Sequence, residues 1–99
     1  MPYTMEELAQ IVSPIAQLHG VKSVSVFGSY SRGQATAKSD VDIKIEKGAL
    51  KTLLQLSAFR LALEDALHIP VDLITSDSSD MAFLDMIAKD EVLLYRSAG

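Results

Sequence analysis

Residues 24–46 of the chain read VSVFGSYSRGQATAKSDVDIKIE. The β-branched and aromatic residues of Val21–Phe27 predict a strand, and Gly28 directly after it is a natural strand end. Across Val41–Glu46 apolar and charged residues alternate, which predicts a second strand with one face on the core. Residues 29–33 between them predict a single helical turn. Two strands are therefore expected here, separated by this helical turn and a small polar loop over residues 34–39.

The flanking sequence supplies helices and further strands around this centre. Thr4 and Glu7 form a capping-box pattern, which starts a helix, and Pro14 predicts a kink or a restart in it. In chain order we expect a helix over about residues 4–19, a helix over 49–68, a strand over Val71–Thr75, a helix over Met81–Lys89 and a last short strand over Val92–Tyr95. This order predicts an α+β or α/β fold, a small mixed sheet with helices packed on it.

Length and composition limit the function classes. The 99 residues predict one domain over 1–99, and no apolar run approaches the roughly 20 residues that cross a bilayer. The chain has no cysteine, which removes disulfides and thiolate metal sites and fits a cytoplasmic location. The net charge of -4 disfavours a long nucleic acid as the partner, because phosphate contacts need a basic surface.

Three aspartates on two strands predict a metal site. Alternate residues of a strand share a face, so Asp40 and Asp42 should project together, away from the core. Asp72 lies in a strand with the same alternation and should join them if the two strands are neighbours. Adjacent carboxylates repel unless a cation lies between them, and oxygen ligands select Mg²⁺ or Mn²⁺. Three carboxylates can hold two such ions, and Asp72 could also accept a proton from an attacking hydroxyl.

The turn after the first predicted strand suggests a phosphate site. Gly28 lets phosphate oxygens approach the backbone, and Ser29 at the start of a helical turn would aim its hydroxyl and N–H groups at the anion. Arg32 lies one turn further and could contact phosphate. Each feature alone is usually an ordinary turn or a surface residue. Lys44 shares the face of Asp42 and either pairs with an acid or reaches a phosphate.

Phe27-Gly28-Ser29-Tyr30-Ser31-Arg32-Gly33 followed by Ser39-Asp40-Val41-Asp42-Ile43 resembles the signature of the DNA polymerase β-like nucleotidyltransferases. Within that superfamily the chain is similar to the minimal nucleotidyltransferases, from about Val12 to Tyr95. The resemblance implies a palm-like fold, triphosphate binding by Gly28 and Ser29, and metal binding by Asp40, Asp42 and Asp72. It also implies transfer of AMP from ATP to a tyrosine of a HEPN-domain ribonuclease toxin, which makes the chain an antitoxin.

Two other functions stay open at this stage. The chain could be a binding subunit that neutralises its partner by contact, or a transferase to a small molecule or a nucleic-acid end. Apolar residues beyond one packing face could serve a homodimer or a toxin contact. The third helix is expected to place its apolar residues in the core, and these are also contact candidates: Phe83, Leu84, Met86 and Ile87. The candidates on the second helix are Leu53, Leu56, Leu63 and Leu67.

Overall fold

The computed structural model describes residues 2–98 and contains three helices and four strands within them. In chain order these are α1 (Met5–His19), β1 (Ser23–Phe27), β2 (Val41–Glu46), α2 (Leu53–Leu67), β3 (Val71–Thr75), α3 (Met81–Ala88) and β4 (Val92–Arg96). The order of elements and the α+β class are those predicted from the sequence. No helix in this part of the chain has the length and apolar character that a membrane span needs.

The four strands form one mixed sheet in the order β3-β2-β1-β4. β1 runs antiparallel to both of its neighbours, and β2 runs parallel to β3. The parallel pair places Asp42 directly opposite Asp72, while the antiparallel pair places Asp42 opposite Phe27, the last residue of β1. The end of β1 and the starts of β2 and β3 therefore lie side by side at one end of the sheet, and they carry the residues of the predicted site.

Helices α1 and α2 cover one face of the sheet and form the core with it. The alternation predicted for β2 is confirmed, since Val41, Ile43 and Ile45 are fully buried while the residues between them are half-buried. The helices contribute buried side chains at one stripe each, Leu8, Val12 and Ala16 from α1 and Phe59, Leu63 and Leu67 from α2. The opposite face of the sheet, called the open face below, carries the polar residues of β2.

Helix α3 meets the open face rather than the core. Side chains alternate between the two faces along β1, so the side chain of Phe27 lies on the opposite face from those of Val24 and Val26, which belong to the core cluster. The ring of Phe27 packs edge to face against Phe83 of α3, with 6.2 Å between the ring centroids. Helix α3 therefore lies over the end of β1, next to the turn that begins at Gly28.

The predicted start of α1 is confirmed, and its proline does not divide it. The hydroxyl of Thr4 accepts from the backbone N–H of Glu7, and the Glu7 carboxylate accepts from the N–H of Thr4. The helix continues past Pro14 as one element and ends at Gly20, which has a left-handed φ of 74°. The expected restart at Pro14 is therefore wrong.

Helix α2 is shorter than predicted, and its two apolar sides have different surroundings. It begins after Thr52, whose hydroxyl accepts from the N–H of Gln55, so Leu50 lies before the helix, although it belongs to the core cluster. Leu53 and Leu54 are 82% and 83% exposed, whereas two of the leucines predicted as contact residues, Leu63 and Leu67, belong to the core. The side that carries Leu63 and Leu67 therefore packs in the core, with Leu56 beside it, and the apolar side that carries Leu54 and Leu61 is exposed among residues 2–98.

Candidate active site

The segment after β1 is a hydrogen-bonded turn. The N–H of Arg32 donates to the carbonyl of Gly28 at 3.1 Å, which is a single helical bond, and the N–H of Gln34 donates to Ser29 at 2.8 Å. Gly33 closes the segment with a left-handed φ of 71°. Residues 28–33 form turns, so the predicted helical turn is present only as this one bond, and Ser29 is not the cap of a helix.

The turn leaves three consecutive backbone donors available. The N–H groups of Ser29, Tyr30 and Ser31 donate to no other group among residues 2–98. The buried ring of Tyr30 belongs to the core cluster, and the hydroxyl of Ser31 donates to the carbonyl of Gly28 at 2.9 Å. These two contacts fix the turn from both sides. Successive free N–H groups held by a turn can form an anion-binding concavity, so the geometry is compatible with the phosphate site that the sequence predicts.

Gly28 brings the turn into direct contact with the predicted metal site. It has a φ of 74°, and a Cβ atom at this position would overlap the carboxylate of Asp42. A left-handed φ costs a residue with a side chain about 1–2 kcal/mol, and the overlap would add to that cost. The absence of a side chain at Gly28 therefore lets the Asp42 carboxylate lie against the backbone that would receive a phosphate.

Asp42 and Asp72 form a carboxylate pair on the open face. They are directly opposite in the parallel ladder, where neighbouring strands are roughly 4.8 Å apart. Burial raises the pKa of Asp42 above its ordinary value of 3.8, and the carboxylates of Asp72 and then Asp40 raise it further, while Arg32 opposes the shift. The ionised form of Asp42 is thus disfavoured by its surroundings, as expected where an opposite charge would stabilise the pair.

Asp40 is less closely placed than the other two acids. It lies in the exposed segment before β2 and acts on Asp42 through its charge. Across residues 2–98, no three acidic or histidine side chains are gathered closely enough to hold a metal ion by themselves. Mg²⁺ commonly takes one or two protein carboxylates and completes its shell with water and substrate phosphates. The Asp42–Asp72 pair beside the turn at Gly28 is compatible with that pattern, and metal binding by Asp40 stays a prediction.

Arg32, for which the sequence suggests a contact with phosphate, forms an ion pair with Asp90. Its Nη1 donates to Oδ2 of Asp90 at 2.8 Å, and its Nε donates to Gln34 at 3.1 Å. Gly28, Arg32 and Asp90 line a pocket of about 220 Å³ with Phe83 and Met86 of α3. The guanidinium is therefore close to the turn and is held by Asp90 and Gln34, while its Nη2 donates to no group among residues 2–98.

Lys44 pairs with an acid, which was one of the two alternatives. Its Nζ donates to Oε1 of Glu91 at 2.9 Å. Three residues of the site carry no functional signal in the sequence: Glu91, Asp90 and Tyr30. Both acids follow α3 and reach the site only through the return of the chain into β4, so no local pattern identifies them. Tyr30 could have been found, because a large aromatic residue inside a polar turn needs a place to be buried.

Comparison with known proteins shows which family the chain belongs to. The family model for "Polymerase beta, Nucleotidyltransferase" matches residues 9–98. The chain belongs to this nucleotidyltransferase family. Protein MJ0435 of Methanocaldococcus jannaschii is 38% identical over 88 residues, which cover 89% of this chain and 95% of that protein. The protein adenylyltransferase MntA of Thermococcus cleftensis is 31% identical over 93 residues, 90% of this chain and 94% of that one.

A solved structure supports the nucleotidyltransferase fold. One such structure is the complex of a tri-AMPylated HEPN toxin of Shewanella oneidensis with the MNT antitoxin. This chain superposes on one chain of that complex with a TM-score of 0.72 and 17% sequence identity. The superposition covers 95% of this chain and 74% of that chain. At this level of identity the likeness concerns the fold. The palm-like architecture expected from the Gly-Ser and Asp-x-Asp signature is confirmed, and the nucleotidyltransferase assignment rests on the family match and the relatives.

Proposed function

We propose that the chain is a Mg²⁺-dependent protein adenylyltransferase that transfers AMP from ATP to a tyrosine hydroxyl of a HEPN-domain toxin and thereby acts as an antitoxin. The observation that carries the proposal is the contact between the turn at Gly28, with its free N–H groups, and the carboxylate of Asp42. A phosphate-binding backbone and a carboxylate pair within contact distance are the equipment for phosphoryl chemistry. The relatives named adenylyltransferase support AMP as the group transferred.

In this proposal the chain's residues divide the work between binding and proton transfer. The N–H groups of residues 29–31 and the backbone at Gly28 hold the β- and γ-phosphates, with Arg32 as an added cation. Asp40, Asp42 and Asp72 would hold Mg²⁺, which supplies charge neutralisation on the triphosphate and orientation of the reacting oxygens. Mn²⁺ has the same ligand preference.

The reaction follows from this arrangement of groups. The tyrosine oxygen attacks the α-phosphorus of ATP, an O–P bond forms, and the bond between the α-phosphorus and the bridging oxygen breaks, which releases pyrophosphate. The exposed carboxylate of Asp72 lies beside Asp42 on the edge strand and can accept the phenolic proton. The open face beside Asp72 gives an acceptor protein direct access to this carboxylate. In this proposal residues 1–99 form one domain, and the partner protein supplies the tyrosine.

Transfer to a partner can be measured directly. Purified protein, ATP and Mg²⁺ are incubated with a HEPN-domain protein from the same genome, and the intact mass of the partner is recorded. We expect the mass to increase by one or more AMP groups on tyrosine, with at least a hundredfold loss for Asp42→Asn and Asp72→Asn. Asp65→Asn on the exposed side of α2 is the matched control and should keep full activity. No transfer across Mg²⁺, Mn²⁺ and all four nucleotides would reject the proposal.

One observation favours the alternative of a binding subunit. Within residues 2–98 the three aspartates are not close enough together to form a complete metal site. A protein that neutralises its partner by contact alone would need no such site. The double variant Asp40→Ala with Asp42→Ala separates the two functions. If the folded double variant still silences the toxin fully, contact is sufficient. If silencing disappears while binding remains, chemistry is required. A cytoplasmic location accompanies both functions as a prediction.

A further inference from the structure

Strand β3 carries Asp72 along a free edge of the sheet. The strand order is β3-β2-β1-β4, so β3 pairs with β2 on one side and with no strand of residues 2–98 on the other. Half of the backbone N–H and C=O groups of an edge strand point away from its neighbour, and such groups are a template for a further strand. The ladder between β2 and β3 shows which residues present them.

Alternate residues of β3 direct their backbone groups away from the sheet. The N–H of Val41 on β2 donates to the carbonyl of Pro70 at 3.0 Å, which is the first bond of the parallel ladder. A parallel strand bonds to its neighbour through every second residue, so the groups of residues 72 and 74 point towards β2. The N–H and C=O groups that point outward are those of residues 71, 73 and 75.

Leu73 offers a complete pairing position on this edge. Its N–H and its carbonyl both point outward, and neither has a partner among residues 2–98. The N–H of Thr75 is also without a partner in this part of the chain, whereas the N–H of Val71 donates to Oε2 of Glu64 at 2.8 Å. An extended segment can therefore add to β3 and form two hydrogen bonds with Leu73.

A groove beside the same edge would receive one side chain of such a segment. It has a volume of about 160 Å³ and lies between α2 and the core side of β3. Its lining residues are Leu56, Ser57, Arg60, Leu73 and Thr75. Arg60 is paired with Glu64 at 3.0 Å, so the groove offers leucine side chains rather than an unpaired charge. In strand addition such pockets select alternate side chains, and this one favours an apolar side chain of moderate size.

The order of the strands indicates what the added segment would carry. The turn at Gly28 follows β1, Asp42 lies on β2 and Asp72 lies on β3, side by side at one end of the sheet. In an in-line displacement the attacking oxygen approaches phosphorus from the side opposite to the leaving group. With pyrophosphate held at the turn, the attacking oxygen approaches from the side of β3, where the edge is free.

We propose that the partner protein adds an extended segment, antiparallel, to the free edge of β3, with its acceptor tyrosine opposite Asp72 and the preceding residue opposite Leu73. The inference rests on the proposed function, because it describes how the acceptor of that reaction is held. The pair at Asp72 is then of the non-hydrogen-bonded type, in which Cα atoms are about 4.5 Å apart and side chains are closest. The tyrosine lies on the open face beside the carboxylate, and the preceding side chain lies on the other face, in the groove.

Hydrogen exchange tests the added strand residue by residue and without catalysis. The probe is the peptide acetyl-Thr-Val-Tyr-Val-Thr-amide, added to ¹⁵N-labelled protein, and backbone amide exchange is followed by NMR. The N–H groups of Leu73 and Thr75 should exchange rapidly in the free protein and about tenfold more slowly with saturating peptide. The N–H groups of Asp72 and Ile74 already bond to β2, so they are internal controls whose exchange rates should stay unchanged.

Two N-methylated peptides provide a matched comparison. Methylation of the valine before the tyrosine removes the N–H that would donate to the carbonyl of Leu73, so binding should weaken about tenfold. Methylation of the tyrosine nitrogen alters a group that points away from β3 and should change the affinity less than about threefold. Equal weakening by both methyl groups, no binding at millimolar peptide, or protection centred on another strand would each overturn the proposal.

The transfer assay supplies a second arm through the groove. Ser57 lines the groove, whereas the neighbouring exposed Ala58 does not. With a partner protein that is modified, Ser57→Phe should fill the groove, raise the KM for the partner about tenfold and leave kcat and the KM for ATP within about twofold. Ala58→Phe is the matched control and should change none of these values, and equal partner KM values in the two variants would contradict the groove contact.

The two proposals fail in different ways. Absence of transfer by the unmodified protein, with every nucleotide and metal tested, would reject the adenylyltransferase. The exchange and methylation results would still decide whether the edge of β3 binds an extended segment, because neither measurement depends on AMP transfer.

Discussion

The carboxylate of Asp42 lies against the backbone of Gly28, at the position that a Cβ atom of residue 28 would take. The turn at Gly28 and the carboxylate pair thus form one candidate site rather than two neighbouring ones. The contact arises because β1 and β2 are antiparallel neighbours, with Phe27 opposite Asp42. The turn that follows β1 is therefore placed next to the start of β2, although residues 29–41 separate Gly28 from Asp42 along the chain.

Alanine at Gly28 should damage the site more than the fold. Gly28→Ala and Gly33→Ala both place a side chain at a left-handed φ, at 74° and 71°, so the backbone conformation alone should lower the free energy of unfolding by about 1–2 kcal/mol in each, with an added cost at Gly28. A Cβ atom at Gly33 meets nothing within 4 Å, whereas one at Gly28 meets the Asp42 carboxylate. We expect Gly28→Ala to lose AMP transfer by more than about a hundredfold. Urea unfolding and the mass assay measure the two effects, and equal activity in both variants would contradict the argument.

The pKa of Asp42 predicts an unusual stability change. Because burial and the neighbouring carboxylates raise this pKa above 3.8, the folded chain holds the Asp42 proton more tightly than the unfolded chain does. The contribution of this group to stability is therefore present at low pH and is lost as the pH rises through the raised pKa. In metal-free buffer, Asp42→Asn should raise Tm at neutral pH, with the gain shrinking as the pH falls towards 3.8.

Asp77 provides a control of opposite sign for this pH series. Its hydrogen bonds from Lys47 and Thr75 lower its pKa below 3.8, so its contribution is present at neutral pH and is lost on acidification. Asp77→Asn should therefore lower Tm slightly at neutral pH and have no effect at the acid end. Parallel thermal melts in each buffer compare the two variants. A neutral-pH Tm for Asp42→Asn at or below that of the unmodified protein would contradict the prediction.

Cation binding should reverse the cost of the carboxylate pair. A ligand that binds only the folded state raises Tm by mass action, so MgCl₂ should stabilise the unmodified protein and EDTA should remove the gain. Asp42→Asn and Asp72→Asn should lose most of this response, while Asp65→Asn retains it. Addition of a non-hydrolysable ATP analogue should enlarge the shift, because its phosphates complete the Mg²⁺ shell. A response of the same size in Asp42→Asn would place the cation elsewhere.

The parts of the fold that follow from the sequence are those with short-range causes. β2 and β3 were predicted with their observed bounds, because alternation of apolar residues with Asp42, Lys44 and Asp72 is a local pattern. The start of α2 was missed, because leucines at helical spacing continue before Thr52. Gly48 has a φ of 55° and packs against the backbone near Gly20, which turns the chain away from a helix until Thr52 caps one.

The site shows the same division between local and long-range causes. The aspartates and the turn could be predicted, since their identity and strand parity are local. The partners of the two basic residues could not, because Arg32 meets Asp90 at a separation of 58 residues and Lys44 meets Glu91 at a separation of 47. Both pairings depend on how α3 crosses the open face, and no periodicity in the sequence specifies that crossing.

The bond between Arg32 and Asp90 gives a final prediction about nucleotide affinity. Arg32 Nη1 and Asp90 Oδ2 are 2.8 Å apart, with side chains 47% and 30% exposed, and exposed pairs of this kind contribute up to about 1 kcal/mol. Asp90→Asn should release the guanidinium towards phosphate, so the KM for ATP should fall by up to about fivefold while Arg32→Ala raises it. Asp77→Asn, which removes the exposed pair with Lys47 beyond the other end of β2, should leave the KM unchanged. A higher KM in Asp90→Asn would mean instead that Asp90 holds Arg32 in its phosphate-binding position, because the guanidinium would then lose its orientation along with its partner.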